Sequence, residues 1–293
     1  MLHGAIRTEA AMKTSAFAAL LILAFVESAW AWGSEGHSIV AEIAQRRLTP
    51  NAERMVARLL GRSHSLASVA SWADDVREKR PDTKQWHFVD IAVDDTHYDA
   101  TSQCKPSDQG DCIIAELDRL KHDLRCAPNA RRKQEALKLA VHFVGDIHQP
   151  LHTVAEEVGG NTIPVQVTMR GLKCTGKCQP KPFASNFHAA WDTDLIQATV
   201  WDWGAYVDRL EERWLKSPEA HKHGIDGGDP TRWALETHGA AKTVWHRLPE
   251  DRVLDDAYYL DVLPIVDRQL GVAGLRLARF LNDAYASNQC PVR

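Results

Sequence analysis

Residues 142–152 read His-Phe-Val-Gly-Asp-Ile-His-Gln-Pro-Leu-His, and this stretch decides how the rest of the chain is interpreted. His142 and Asp146 lie four positions apart, so a helix projects both side chains from one face. Val141 and Val144 fall at the apolar spacing of a buried helix face. A divalent metal needs deprotonated nitrogen and oxygen ligands that are held in place. The stretch therefore predicts a buried helix that carries metal ligands.

The same spacing occurs again in the segment His-Ala-Ala-Trp-Asp at residues 188–192. For one such pair alone, a helix-stabilising contact or a buried histidine satisfied by an aspartate is the simpler interpretation. Two pairs, with His152 directly after the Gln149-Pro150 helix stop, favour metal binding instead.

Two further segments each add one candidate ligand. The sequence Ser-Trp-Ala-Asp ends at Asp74 on a predicted helix, and the sequence Trp-His-Phe-Val-Asp contains His87 on a strand-like segment. Taken alone, each residue would be interpreted as an ordinary surface group. Their importance depends on the fold bringing them to the predicted metal ligands.

The first residues have the pattern of a secretory signal peptide. An apolar run at 17–26 follows Lys13 and precedes the small-x-small sequence at 29–31. The run is shorter than the about 20 residues that a membrane span requires, and a buried amino-terminal helix is the weaker alternative. We therefore predict a cleaved signal peptide at 1–31, with residues 1–11 as an upstream extension, and a secreted or periplasmic protein.

Cleavage would make Trp32 the first residue of a single domain at 32–293. The mature sequence would begin Trp-Gly-Ser-Glu-Gly-His, ending at His37. A free α-amino group has a pKa of about 7.7 to 8.0, well below that of lysine, so it can deprotonate and bind a metal. No second apolar run reaches the length of a membrane span.

The composition is that of a globular protein, with 44% hydrophobic and 25% charged residues. The formal net charge is −4, which does not provide the basic footprint usual in nucleic-acid binders. Fourteen histidines and ten tryptophans nevertheless supply many metal ligands and stacking surfaces.

Six cysteines in an exported chain are expected to form disulfides. Local pairing would join Cys104 to Cys112 and Cys174 to Cys178, and it would leave Cys126 to pair with Cys290. Six cysteines allow 15 connectivities, so other pairings remain open. A zinc ribbon is the rival interpretation, but the spacings lack a paired C-x-x-C.

The apolar periodicity is helical almost throughout, and it predicts one mainly α domain with minor β content. Thr49 is a predicted cap for a helix that starts at Pro50 and ends before Gly61. The other predicted helices are one ending before Thr49, one at 65–79, one ending near His148, and those at 188–215, 231–247 and 254–285. The predicted strands are 87–93 and 162–169.

These motifs together resemble the secreted zinc-dependent single-strand-specific nucleases of the mung bean nuclease type, which are related to bacterial zinc phospholipase C. The matching blocks, in order, are WGxxGH, SWAD, HFVD, HFVGDxHQPLH, GGN and HxxWD. The resemblance covers essentially the whole mature chain. It implies a helical bundle of the zinc phospholipase C/nuclease type with a trinuclear zinc cleft.

The resemblance also implies three sets of ligands for three zinc ions. The first zinc would take Asp74, His87, His142 and Asp146. The second zinc would take His152, His188 and Asp192. The third zinc would take the amino nitrogen and carbonyl oxygen of Trp32, His37 and the bridging Asp146. The family nucleases have aspartate at the position of Asp192, where the phospholipase relatives tend to have glutamate.

The implied activity is endonucleolytic hydrolysis of single-stranded DNA and RNA by a zinc-activated water, leaving 5′-phosphate products, with 3′-nucleotidase activity. Asp74, Arg77 and Asp146 are the implied catalytic residues, although Arg77 could equally be a solvated surface residue. The residues implied to bind a base are Phe88 by stacking, Asp90 and Asn161 at the base edge, and Gly160 by allowing close approach; core packing and a simple turn are the alternatives. A monomer acting on single-stranded nucleic acid or nucleotides is expected.

One departure from the fungal pattern is a longer insert between Asn161 and His188, which carries Lys173, Lys177 and Lys181. It is either a basic loop that grips the strand or a disulfide-closed surface hairpin. Two alternative functions remain open: a zinc phospholipase C or general phosphodiesterase of the same fold, and a non-catalytic metal-binding helical protein.

Overall fold

The chain is mainly helical, as its apolar pattern predicts. The computed structural model describes residues 1, 32–179, 181–287 and 290, so the predicted signal peptide lies outside the described residues except for Met1. The α-helices are α1 (Ser34–Gln45), α2 (Pro50–Leu60), α3 (Trp72–Arg77), α4 (Ala100–Gln103), α5 (Ile113–Cys126), α6 (Ala130–Asp146), α7 (Glu157–Gly160), α8 (Phe187–Ala189), α9 (Leu195–Thr199), α10 (Trp203–Glu212), α11 (Pro218–Asp226), α12 (Pro230–His246) and α13 (Asp256–Ala284). Short 3₁₀ segments occur at Ala67–Val69, Pro81–His87, Pro150–Thr153 and Trp214–Lys216, and a π-helical turn at Ala190–Asp194 joins α8 to α9.

The core lies between the longest helices. Helix α13 packs along α1 and also contacts α6 and α11, while α5 packs against α6. Buried apolar side chains from these helices form one continuous cluster, in which Ile39, Val141, Val144 and Leu277 are completely excluded from solvent. The carboxyl-terminal half of α6 is therefore surrounded by protein, and the polar residues on it must find partners inside the fold.

A small sheet of three strands lies at one side of the helices. The strands are β1 (Pro164–Val167), β2 (Phe183–Asn186) and β3 (Val253–Leu254), in the order β2-β1-β3. Strands β1 and β2 are antiparallel, and β1 and β3 are parallel. The predicted strand at 162–169 is confirmed in its central part, and the predicted minor β content is confirmed with it.

Several predicted helix boundaries are confirmed. The Thr49 side chain accepts a hydrogen bond from the Ala52 amide, Pro50 opens α2, and Gly61 follows its end. Helices α1, α6, α12 and α13 lie where the periodicity places them. Local capping chemistry and a long apolar repeat are the strongest sequence signals, and both occur in these helices.

One predicted strand is wrong, two predicted helices are interrupted, and four helices were not predicted. The segment 65–79 holds only a 3₁₀ turn and α3, and the segment 188–215 is interrupted at 200–202 before α10. The segment 87–93 is not a strand: it follows a 3₁₀ helix and bonds to the loop after α6 through Val89 N–H and the His152 carbonyl, 2.9 Å apart. The helices without a counterpart among the predicted ones are α4, α5, α7 and α11.

All three disulfides follow the local pairing. Cys104 bonds to Cys112, Cys174 to Cys178, and Cys126 to Cys290. No cysteine is left free, so the zinc ribbon interpretation is wrong. Among the residues that the structure describes, no helix has the length and apolar character needed to cross a membrane.

Candidate metal centre

Helix α6 brings His142 and Asp146 together as its i, i+4 spacing predicts. Both side chains are fully buried, and His142 Nε2 lies 3.2 Å from Asp146 Oδ2. The other ring nitrogen of His142, Nδ1, is 2.7 Å from the carbonyl oxygen of Ala70. Because a carbonyl can only accept, Nδ1 carries the proton and donates it, which leaves Nε2 facing the carboxylate.

Two residues from neighbouring elements complete this group. Asp74 comes from α3, and His87 is the last residue of the 3₁₀ helix that follows it. His87 Nδ1 lies 3.0 Å from Asp146 Oδ2 and 3.6 Å from Asp74 Oδ1, and His142 Nε2 lies 3.5 Å from the same Asp74 oxygen. These four side chains, which lie up to 72 positions apart in the sequence, meet within the core as one His/Asp group.

His37 of α1 approaches Asp146 from the opposite side. Its Nε2 lies 3.2 Å from Asp146 Oδ1, without hydrogen-bond geometry, and its ring stacks on that of His142 with centroids 3.9 Å apart. Gly145 makes this approach possible, because a Cβ there would lie 2.7 Å from His37 Nδ1. The two oxygens of Asp146 thus face different histidine sets.

A second group is built from His152, His188 and Asp192. His188 Nε2 lies 3.4 Å from Asp192 Oδ2, and His152 Nε2 lies 4.0 Å from Asp192 Oδ1. His152 Nδ1 donates to the carbonyl of His87, and His188 Nδ1 donates to that of Gly159, each over 2.7 Å. Both rings therefore turn Nε2 toward Asp192, which lies in the π-helical turn between α8 and α9.

Gly159 and Gln149 orient this second group. Gly159 has a φ of +62°, and a Cβ there would meet the Leu151 carbonyl at 2.6 Å, so a larger residue would shift the backbone of residue 159, whose own carbonyl holds His188. Gln149 Nε2 donates to Asp192 Oδ1 over 2.5 Å and fixes one carboxylate oxygen. Backbone and amide partners of this kind are typical supports of metal ligands.

The residues fit a metal by an independent criterion, the buried polar atoms that protein does not satisfy. Within the described part of the chain, seven of the predicted ligands have a buried nitrogen or oxygen with no hydrogen-bond partner: Trp32 Nε1, Asp74 Oδ1, His87 Nε2, Asp146 Oδ1, His152 Nε2, Asp192 Oδ2 and both ring nitrogens of His37. Buried polar groups are normally paired, so clustered exceptions indicate a missing partner. In each of three sets, the ligand atoms lie within 4.8 Å of one another. The sets are His37/His142/Asp146, Asp74/His87/His142 and His152/His188/Asp192.

Burial also sets the protonation of the ligands. It lowers the pKa of His87 to about 4 and that of His188 to about 3, so both rings are neutral at pH 7 and keep a lone pair. Burial opposes the charged form of His142 too, but Asp146 and Asp74 outweigh it and hold the pKa of His142 well above its usual value. A metal entering here would displace that proton.

The start of the described chain lies against the second group. Trp32 is fully buried, and the Gly33 amide donates to the Asp192 carbonyl over 2.8 Å. A Cβ at Gly33 would lie 2.6 Å from Thr193 Oγ1, so glycine is required for this close contact. Trp32, the first of the predicted ligands in the sequence, is therefore held close to Asp192, the last of them.

A buried polar network ties the loop after α6 to the last helix. His148 Nδ1 donates to the Val144 carbonyl, and its Nε2 accepts from Arg276 Nη1 over 3.0 Å. Gln269 Nε2 donates to the His148 carbonyl over 2.7 Å, and Arg276 also bonds Glu236. Both side chains on α13 are buried. The loop that carries Gln149 and His152 is thus held at His148.

The predicted catalytic and substrate residues that are not in these groups have varied settings. Burial is the main cause of the lowered pKa of His152 and of His188, and the charge of Arg77 lowers both further, which places Arg77 within electrostatic reach of the second group. Phe88 is half-buried, and Asp90 is exposed, although partial desolvation raises its pKa to about 6. Their role in binding a base remains a prediction.

The last two predicted substrate residues are Gly160, which ends α7, and Asn161, which follows it. Gly160 has a φ of +85° and packs on Phe187, and a Cβ would lie 3.1 Å from that ring, so the fold itself requires glycine here. Asn161 donates its amide to the Val158 carbonyl over 2.8 Å, which leaves its side-chain oxygen to accept. Base binding by this pair also remains a prediction.

Sequence analysis missed the residues that support the ligands. Gln149 was interpreted only as part of a helix stop, and Gly145 only as a letter within a motif. Neither gives a periodicity signal, because one acts through a single amide and the other through the space it leaves.

Comparison with known proteins agrees with this geometry. The profile of the S1/P1 nuclease family matches residues 32–286. Nuclease P1 of Penicillium citrinum is 30% identical over 288 residues, covering 87% of this chain and 98% of that protein. Nuclease S1 of Aspergillus oryzae is 28% identical over 282 residues (89% and 94%), and Endonuclease 2 of Arabidopsis thaliana is 29% identical over 282 residues (86% and 89%). The chain therefore belongs to the S1/P1 nucleases, a family of zinc-dependent phosphodiester hydrolases with a mainly helical fold.

Proposed function

We propose that the mature protein is an exported endonuclease that cleaves single-stranded DNA and RNA, leaves 5′-phosphate ends and removes 3′-phosphates from nucleotides. The observation that carries the proposal is the cluster of buried His/Asp groups around Asp146, in a chain of the S1/P1 nuclease family. A phosphodiester is an anion with a poor alkoxide leaving group. Concentrated positive charge speeds its hydrolysis because it stabilises the negative charge of the transition state.

The metal content proposed is three zinc ions. Asp74, His87, His142 and Asp146 would hold the first, His152, His188 and Asp192 the second, and Trp32, His37 and Asp146 the third. When bound, zinc supplies Lewis-acid stabilisation of phosphate charge and lowers the pKa of water. Three divalent ions would also reverse the sign of the formal charge of −4 and concentrate the positive field at one place.

The chain's own groups have separate tasks in this proposal. Asp146 presents one oxygen to each neighbouring histidine set, which fixes the spacing of the two adjoining sites. Asp74 presents a buried carboxylate oxygen that has no hydrogen-bond partner, and this oxygen can orient the attacking water by accepting its proton in a hydrogen bond. Arg77 adds a permanent positive charge near the second group, where it stabilises negative charge that develops on the phosphate.

Single-strand preference would follow from base binding beside the metals. The half-buried ring of Phe88 directly follows the ligand His87 and offers a face on which one base can stack. Base stacking on an aromatic side chain is worth about 1–3 kcal/mol and tolerates any sequence, but it needs a base that is not already stacked in a duplex. Asp90 and the free acceptor of Asn161 would bind the base edge, with Gly160 beside them.

Export is proposed to complete the third zinc site. Removal of the predicted signal peptide at 1–31 would free the amino group of Trp32, where the match to the nuclease family also begins. A variant with one additional glycine before Trp32 should lose zinc from the third site and most of its activity, because the α-amino ligand is displaced. Equal zinc content and activity in both proteins would refute the role of the amino group.

The experiment that tests the function compares substrates and metal states in one preparation. Mature protein is assayed on single-stranded DNA, duplex DNA of the same sequence, RNA and phosphatidylcholine, before and after chelation and after zinc return. Cleavage of both single strands well above the duplex, lost on chelation and restored by zinc, supports the proposal. Phosphatidylcholine turnover without cleavage of nucleic acid would instead indicate a phospholipase C, and zinc below one ion per chain with no activity would indicate a non-catalytic protein.

A further inference from the structure

The most exposed aromatic side chain of the described mature chain is Trp201, in the turn between α9 and α10. It is 81% exposed, and Lys173 places its ammonium 5.1 Å from the ring centroid. A cation held over one face of an indole stabilises the ring's position while leaving the other face open. We name Trp201 with Lys173, Lys177 and Lys181 the Lys–Trp patch.

The backbone fixes Lys173 beside Trp201. The Lys173 amide donates to the Ala198 carbonyl over 3.2 Å, and Gly171, with a φ of +70°, comes so close that a Cβ would overlap the same carbonyl. The insert therefore starts directly on the end of α9. The disulfide between Cys174 and Cys178 then closes the next turn, so the loop is held at both sides of Lys177.

The charge of this region has the opposite sign to that of the whole chain. Residues 158–191 contain no aspartate or glutamate, but they contain Arg170, Lys173, Lys177 and Lys181. Arg170 is paired with Asp256, whereas Lys177 and Lys181 are exposed and form no ion pair with any residue that the structure describes. The acidic neighbour of Trp201, Asp202, is engaged as the cap of α10.

We propose that the Lys–Trp patch is a second contact for single-stranded nucleic acid, separate from the metal centre. One base stacks on the open face of Trp201, and Lys177 and Lys181 neutralise the phosphates beside it. An exposed aromatic ring with adjoining cations is the arrangement by which proteins hold single strands without sequence preference. The proposal rests on the proposed function, and it adds the binding of a longer strand to it.

The position of the patch decides which substrates can use it. Asp192 and Thr199 are separated by seven residues of helical chain, about 10 Å at the usual rise per residue, and Trp201 lies beyond that end. A mononucleotide at the metal centre therefore leaves the patch free, whereas a longer strand contacts both. The patch should affect the binding of long substrates and leave the chemical step unchanged.

The test measures binding without cleavage. The mature, zinc-loaded protein is titrated into fluorescently labelled, fully phosphorothioate (dT)15, whose intactness is checked on a gel, and Kd is followed by anisotropy. Trp201→Ala should weaken binding by about tenfold or more. The double variant Lys177→Ala/Lys181→Ala should reduce the slope of log Kd against log salt by about 1.4, because two phosphate contacts are lost.

Two controls separate the patch from general effects. Lys105→Ala removes an exposed lysine from the other short disulfide loop and should leave both Kd and the salt slope unchanged. Steady-state kinetics should show a raised KM for long single strands in Trp201→Ala, with kcat and the kinetics on a dinucleotide unchanged.

Three results would overturn the proposal. One is an unchanged Kd in Trp201→Ala, whatever the catalytic activity proves to be. Another is an equal loss of affinity in Lys105→Ala. The third is that Trp201→Ala loses binding to phosphatidylserine vesicles but keeps its affinity for (dT)15, which would assign the patch to a lipid surface. Failure of the proposed function would appear differently, as absence of cleavage in a protein that still binds (dT)15 through Trp201.

Discussion

Gly145→Ala is expected to displace a predicted metal ligand although no ligand residue is substituted. The new Cβ would lie 2.7 Å from His37 Nδ1 and 3.0 Å from its Cε1. Carbon contacts are optimal near 3.5 Å, so the ring must move by about 0.8 Å. It cannot move freely, because its other face stacks on His142 with centroids 3.9 Å apart. Metal–ligand distances tolerate only about 0.2 Å, so His37 should no longer bind.

The effect on zinc should exceed the effect on folding. Alanine gains about 1 kcal/mol over glycine in a helix interior, while overpacking costs about 1–3 kcal/mol, so the net loss of stability is small. Displacing a ligand's support lowers metal affinity by about 10- to 100-fold. Zinc per chain, measured by atomic absorption after dialysis, should fall in Gly145→Ala, and urea unfolding should show a modest change.

Gly239→Ala is the matched control, because this glycine also lies inside a helix, α12, and a Cβ there would have no atom within 4 Å. It should gain about 0.5–1 kcal/mol and keep its zinc. The double variant His37→Ala/Gly145→Ala should lose no more zinc than His37→Ala alone, since both changes remove the same ligand. Equal zinc affinity in Gly145→Ala and Gly239→Ala would refute the reasoning.

Further predictions concern the carboxylates. Asp146→Ala should lower zinc content more than Asp74→Ala, because Asp146 faces two histidine sets; equal losses by atomic absorption would contradict this. Burial raises the pKa of Glu116 to about 7 despite the opposing effect of Arg119. The folded state therefore binds this proton more tightly than the unfolded state, and wild type should lose stability as the pH rises from about 4.5 to about 7. Glu116→Gln should lose less over the same range in urea unfolding, and parallel curves for the two proteins would contradict the assignment.

The sequence predicts which His and Asp side chains come together better than it predicts the elements that carry them. His142 and Asp146 are recognisable because one helix period places both on a buried face. His87 is brought to them by a 3₁₀ helix rather than a strand, since the segment after it bonds to the loop at His152 instead of to a sheet. A sequence motif identifies the residue at a position. Local propensity does not determine which other backbone segment that residue will hydrogen-bond to.

The residues that sequence analysis missed act through tertiary contacts. The carbonyls of Ala70 and Gly159 select the tautomers of His142 and His188, and any residue could supply such a carbonyl. Gly145 acts by leaving room for the ring of His37. Helix α5 was not predicted, although its sequence has an ordinary amphipathic pattern.

The network on α13 has a consequence for when the protein becomes active. The predicted ligands lie between residues 32 and 192, but the helix that packs on α1 and α6, and that holds His148 through Arg276 and Gln269, spans Asp256–Ala284. Such distant contacts form late, because the intervening chain must be closed first. A growing chain that already contains every ligand therefore still lacks the surface on which they are held. A chain that ends before α13 is therefore expected to hold metal at these groups less tightly than the complete chain does.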